Sequence, residues 1–186
     1  MRERELRCGD AVIRLRHEDC YTLGSVDNPR RYDREYKLAD DSFTSFHGVE
    51  CERSCGKASS CLVAGSGGTT TIHEHSAVMQ ESSLVLAVGN SLCRLAIPTL
   101  EMLWHRKIDT VTCFGVYWHM KQHCLVVHGE LEISRVSLDG QIAWQTSGKD
   151  VFSEGFELFD DHAVAEDFNH NRYRIELATG DTKIIK

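Results

Sequence analysis

His73 and His75 stand two residues apart with Glu74 between them. In an extended stretch, residues i and i+2 point to the same side, so both imidazoles can converge on one ion or one proton. Two such ligands are half of a tetrahedral zinc shell, and the remainder must come from elsewhere in the chain. Cys113 and Glu154 are the candidates, with Glu74 placed to act as general base on a metal-bound water. That combination describes a zinc-binding protein or a metal-assisted hydrolase. The competing reading takes the His-x-His segment as a solvated strand edge, with Glu74 and Glu154 as turn residues and no cofactor. Cys113 beside His73 or His75 would also make a thiol–imidazole pair, because an adjacent imidazole lowers a thiol pKa. No Gly-x-Ser-x-Gly elbow accompanies it, so the residues point to binding more than to catalysis.

Other clusters carry less. His47, Cys51, Cys55 and Cys61 are separated by three, three and five residues, without the C-x2-C knuckle that grips a metal. They read as small buried thiols on a hairpin, with Cys51 and Cys61 on facing strands and Cys55 at the tip. Trp118, His119, His123, Cys124 and His128 fall on a strand, a turn and a second strand, so they point in different directions and read as packing plus exposed histidines. Gly65-Ser-Gly-Gly-Thr-Thr-Thr71 lacks the lysine and the following helix of a phosphate loop.

The elements that position these residues come from a repeat. Leu95 to Trp104, Val136 to Trp144 and Ile175 to Ile184 share one pattern: alternating apolar residues, a turn at Pro98-Thr99, Asp139-Gly140 or Thr179-Gly180, and a second short strand. The anchors Leu95, Val136 and Ile175 lie 41 and 39 residues apart, the period of a four-stranded blade. First strands are expected at Ala77–Gln80, Val116–His119 and Phe156–Phe159, and second strands at 84–88, 124–128 and 163–167. Upstream, Ala11 to Arg16 alternates as a half-buried strand. Phe46–Arg53 and Ala58–Ala64 flank the turn Ser54-Cys55-Gly56-Lys57 as a hairpin. Residues 32–41 fit either a strand or a short helix.

Leu177 to Ile184 resembles the repeat of quinoprotein-type propellers, where a strand, an Ala-x-Thr-Gly turn and an apolar or Trp-bearing strand recur. Trp104 and Trp144 occupy the tryptophan position of that repeat, and Ile184 replaces it in the last copy. The resemblance covers roughly residues 76–186 and implies a fold without a quinone cofactor. His73–Ala77, Cys113–Gly115, Gly129–Ile133, Asp167–Asn169 and Tyr173–Ile175 are similar to segments of a group of small bacterial proteins, and that similarity implies no activity.

A closed propeller needs at least four blades, and three are legible. The fourth anchor would fall at position 54, inside the hairpin turn. The expectation is therefore a single all-β domain over 1–186, with N-terminal strands and a hairpin over 1–75 and three blade-like repeats over 76–186. It forms an open or incomplete propeller, a stacked-sheet sandwich, or a ring completed by two chains, which leaves room for a homo-oligomer.

Composition narrows the partners. The net charge is -7 with 21 Lys and Arg among 28 Asp and Glu, which argues against nucleic acid and anionic membrane. The charged start shows no signal-peptide pattern, and the longest apolar run, Leu84 to Val88, is far below the ~20 residues of a membrane helix. Eight cysteines without an export signal suit a reducing cytoplasm. Blade connectors emerge on one face, so 69–75, 109–114 and 150–154 should converge. They carry His73, Glu74, His75, Asp109, Thr112, Cys113, Asp150, Ser153 and Glu154. The reading is a cytoplasmic interaction module with a protein partner on that face. The metal reading and an immunity-type inhibitor stand as alternatives.

Overall fold

A computed structural model describes residues 3–40, 42–56 and 58–185. Among them there is no helix, and so none long and apolar enough to cross a membrane. Lys57 of the expected hairpin turn and Asp41 at the end of the ambiguous stretch lie outside the described residues.

The N-terminal sheet holds β1 (Glu3–Cys8), β2 (Ala11–His17), β3 (Arg34–Lys37), β4 (Ser45–Arg53) and β5 (Ala58–Gly65), in the order β1-β2-β4-β5-β3. Three four-stranded antiparallel sheets follow in chain order. The first is β6 (Ala77–Gln80), β7 (Ser83–Val88), β8 (Ser91–Ala96) and β9 (Met102–Lys107). The second is β10 (Cys113–His119), β11 (Cys124–Gly129), β12 (Glu132–Val136) and β13 (Ile142–Ser147). The third is β14 (Gly155–Leu158), β15 (His162–Glu166), β16 (Arg172–Glu176) and β17 (Thr182–Ile185). The expected blades are these three sheets. Ala77, Val116 and Phe156 pair with Leu86, Val127 and Ala165, so the three first strands are equivalent.

The sheets stack face to face around three apolar layers. Ile13, Leu15, Val49 and Val63 meet Leu84, Leu86 and Val88 in the first layer. Val85 and Ala87 meet Val116, Leu125 and Val127 in the second. Cys124 and Val126 meet Ala163, Ala165 and Tyr173 in the third. A strand between two layers is apolar on both faces, which is why every residue of β7 and β11 is buried. Strand β2 faces only one layer and alternates.

The N-terminal sheet thus takes the place of a fourth blade, built by another route. Strand β3 resolves the ambiguity of 32–41: it lies at the sheet's edge and pairs parallel with β5. That crossover is why the forty-residue period fails before residue 76.

A recurring clasp joins the sheets. Arg94 Nη1 and Trp104 Nε1 both donate to the Leu138 carbonyl, at 2.9 and 3.0 Å. Arg135 Nη1 and Trp144 Nε1 both donate to the Leu177 carbonyl at 3.0 Å. At the first joint Arg34 and Tyr36 substitute, donating to the carbonyls of Thr99 at 2.6 Å and Leu100 at 3.0 Å. The third sheet breaks the series. A bulge follows Arg94 and Arg135 but not Arg174. Lys183, rather than the expected Ile184, therefore stands opposite Arg174. Arg174 bonds instead to Glu176 and Asp161 of its own sheet.

Candidate functional site

The connectors are laced to neighbouring hairpin turns and to one another by backbone hydrogen bonds. Backbone N–H groups of Asn90, Gly68, Cys113 and Glu130 donate to the carbonyls of Ser66, Val111, Gly89 and Thr112, each at 2.8 Å. Phe152 donates to Glu130 at 2.7 Å and Phe168 to Val151 at 2.8 Å. Some of them, such as Cys113 to Gly89, tie one sheet to the next.

Three of the expected site residues belong to these joints. Asp109 is 2% exposed, and its carboxylate accepts the N–H groups of Val111, Leu131 and Glu132 at 2.7, 2.9 and 3.0 Å. Thr112 is buried, and so is Cys113, whose thiol pKa is pushed up by burial first and by Asp109 second. Burial thus holds Cys113 as a neutral thiol rather than a nucleophilic thiolate. Asp150, Ser153 and Glu154 are exposed. Asp150 accepts from Asn169 Nδ2 at 2.6 Å, and Ser153 donates to Glu154 at 2.8 Å.

His73 to Ser76 is a turn, not an extended stretch: His73 N donates to Ser76 Oγ at 2.8 Å, and Ser76 N to the His73 carbonyl at 3.2 Å. His73 Nδ1 accepts the His75 N–H at 3.2 Å. Burial first, then the neighbouring His75, hold the His73 pKa below the usual value. His75 turns away and stacks on Tyr117, with ring centroids 4.4 Å apart. Among the described residues, no group of three or more His, Cys, Asp or Glu side chains is arranged to hold one metal ion. The His73 and His75 ring centroids lie 6.4 Å apart, while Cys113 is buried and Glu154 exposed.

What the turn does border is a groove along the inner edges of the sheets. It encloses about 370 Å³, with Val78, Met79, Val116, Tyr117, Trp118 and Leu158 as apolar walls and Arg4, Glu74 and His75 at its polar end. Tyr117 continues inward to Phe156 at 4.8 Å, Phe156 stacks on His128 at 4.8 Å, and His128 meets Phe114 at 5.3 Å. Arg4 Nη1 donates to the Ala77 carbonyl at 2.7 Å, closing part of the β6 edge. The groove residues had a signal in the sequence, since first strands of a blade line the inner edge.

His119 and His128, expected in part as exposed, are buried. Their Nε2 atoms meet the carbonyls of Phe159 at 3.1 Å and Phe152 at 2.9 Å. Cys51 and Cys61 are buried on facing strands, and Cys55 is exposed at the tip.

No protein-family model and no curated protein matches the chain. Solved structures do. BamB from Moraxella catarrhalis is similar with a TM-score of 0.51 at 11% identity, over 96% of this chain and 62% of that one. The computationally designed Ika8 protein gives 0.50 at 9% identity, over 75% of this chain and 45% of that one. A chain of the Mitotic Checkpoint Complex gives 0.50 at 10% identity, over 82% and 48%. This chain therefore spans less than two thirds of the length of each of these three. At such identities the likeness is one of fold, an open stack of propeller-like sheets.

Proposed function

We propose that the protein is a cytoplasmic binding module that takes an extended segment of a protein partner in the inner-edge groove, with the accessible connector residues as its rim. The observation that carries this reading is the groove itself. Its walls are apolar and aromatic, held by rigid strands, and its polar end offers Arg4, Glu74 and His75 for orientation. Apolar surface with a few placed polar groups suits recognition, and a strand-lined cleft suits a peptide whose alternate side chains point inward. The acidic balance of the chain, its unpaired cysteines and the propeller-like neighbours support the same reading.

The test is a peptide-display selection on the immobilised protein. Enriched peptides should share alternating apolar positions and should lose binding to Val78→Glu and Trp118→Ala while keeping it to Ile184→Asp, far from the groove. Equal binding to all three variants, or an enriched set that Ile184→Asp abolishes, overturns the assignment.

A further inference from the structure

His17 and His47 are a second histidine pair, and each carries a buried ring nitrogen that no described residue bonds. They face one another across β2 and β4, at the end of the first apolar layer, one turn of the pleat beyond Leu15 and Val49. His47 is 0% exposed and the His17 side chain 8% exposed. Their ring centroids are 5.6 Å apart and nearly perpendicular.

The outer nitrogens are held. His17 Nε2 lies 3.2 Å from the Asp19 carboxylate, and His47 Nε2 lies 3.2 Å from the Thr70 carbonyl. An acceptor at Nε2 fixes the proton there and leaves Nδ1 as a bare lone pair. Both Nδ1 atoms are buried without a hydrogen-bond partner among the described residues. A buried acceptor without a partner is costly, and here two adjacent ones sit where no side chain supplies a donor. Imidazoles that donate one N–H to a carboxylate or carbonyl and present the other nitrogen are oriented as metal ligands are.

We propose that His17 and His47 form a two-coordinate site for a soft monovalent cation, copper(I), held between their Nδ1 atoms. Two metal–nitrogen bonds of about 2 Å to a linearly coordinated ion set the ring centroids roughly 6 Å apart, so the pair, at 5.6 Å, opens slightly to take it. Zinc is disfavoured because it takes four ligands and, among the described residues, no third His, Cys, Asp or Glu joins the pair. Calcium and magnesium are excluded by the all-nitrogen donors.

Silver(I), a monovalent stand-in that does not change oxidation state, is the first probe, followed by copper(I) under anaerobic conditions. The protein carries Cys20→Ser and Cys55→Ser, since those two thiols are exposed and would compete. With 15N-labelled histidine, the metal-free spectrum should show unprotonated Nδ1 in both residues. One equivalent of silver(I) should move those two signals alone. Against a competing chelator, His17→Gln and His47→Gln should each weaken copper(I) binding by at least about tenfold, and a His73→Gln/His75→Gln variant should leave it unchanged. Protonated Nδ1 in either residue, metal binding that leaves both signals in place, or equal affinity in folded His17→Gln overturns the site. If a variant fails to fold, the wild-type spectra alone decide.

Discussion

Asp109 gathers three backbone N–H groups in a buried joint. Asp109→Ala leaves those donors without an acceptor, and each unpaired buried donor costs about 1–3 kcal/mol before relaxation. We expect a loss of roughly 3 kcal/mol in urea unfolding, with the same far-ultraviolet spectrum before the transition. His128 and His47 make a prediction about pH. Burial is the main cause that pushes both imidazoles down to about 4. The folded protein keeps them neutral, while the unfolded chain takes up protons near pH 6.5. Stability is therefore fully present above about 6.5 and falls as the pH drops toward 4, by at most about 1.4 kcal/mol per pH unit for each histidine. His128→Gln should remove about half of that slope when urea midpoints are compared across the window. A carboxylate-dominated acid response would begin below this range and would leave the midpoint level between pH 6.5 and 5.

At the scale of the element, the clasp explains two glycines. Gly140 and Gly180 sit at φ +85° and +80°, and a Cβ on either would come within 2.9 and 2.8 Å of the Trp104 and Trp144 rings. Gly56 has φ +81° with open space around it. Alanine at Gly56 meets only the backbone cost of the left-handed region, about 1 kcal/mol. At Gly140 or Gly180 it also pushes the indole off its carbonyl, so the loss should be about 2–3 kcal/mol. Thermal denaturation of the three single variants checks the ranking, and equal losses would show that the rings yield freely. The clasp was half legible in the sequence. Trp104 and Trp144 stand out in the repeat, and Arg94, Arg135 and Arg174 share its 41 and 39 residue spacing. Spacing alone does not reveal that a guanidinium reaches a neighbouring sheet's carbonyl. The strands of the blades were legible because β7 and β11 carry the apolar runs 84–88 and 124–127 and turns separate them. The N-terminal sheet was legible only as strands, since a parallel crossover through β3 leaves no periodic trace. At the site, the chain positions of the connectors were readable from the repeat. Which connector residues stay accessible was not, because burial of Asp109 and Cys113 depends on the turns stacked against them. The His17–His47 pair was invisible because thirty residues separate its members and only strand register joins them.

The whole molecule is bounded by two charged faces. On the outer side of the N-terminal sheet, Arg14 pairs with Glu5 at 3.6 Å and Glu52 at 2.9 Å, and Arg16 with Glu3 at 2.6 Å and Glu50 at 3.6 Å. On the outer side of the last sheet, Arg174 pairs with Asp161 and Glu176, and Arg172 with Glu166 and Glu157. Stacked-repeat architectures need polar outer faces on their terminal units to stay soluble, and inward-facing apolar layers end where these lattices begin. Individual exposed ion pairs contribute little stability, about 0–1 kcal/mol each, so their role here is to oppose end-to-end stacking. Two chains completing one ring would have to bury both lattices, at a desolvation cost that the pairs do not recover. The protein should accordingly sediment as a monomer across a concentration series. Arg172→Val/Arg174→Val turns the last face into one more apolar strand pair beside Val164. That variant should unfold within about 0.5 kcal/mol of the wild type yet associate with rising concentration, as an uncovered apolar sheet face does. A wild-type dimer that the double substitution leaves intact would place the contact elsewhere and remove the charged faces from the account of solubility.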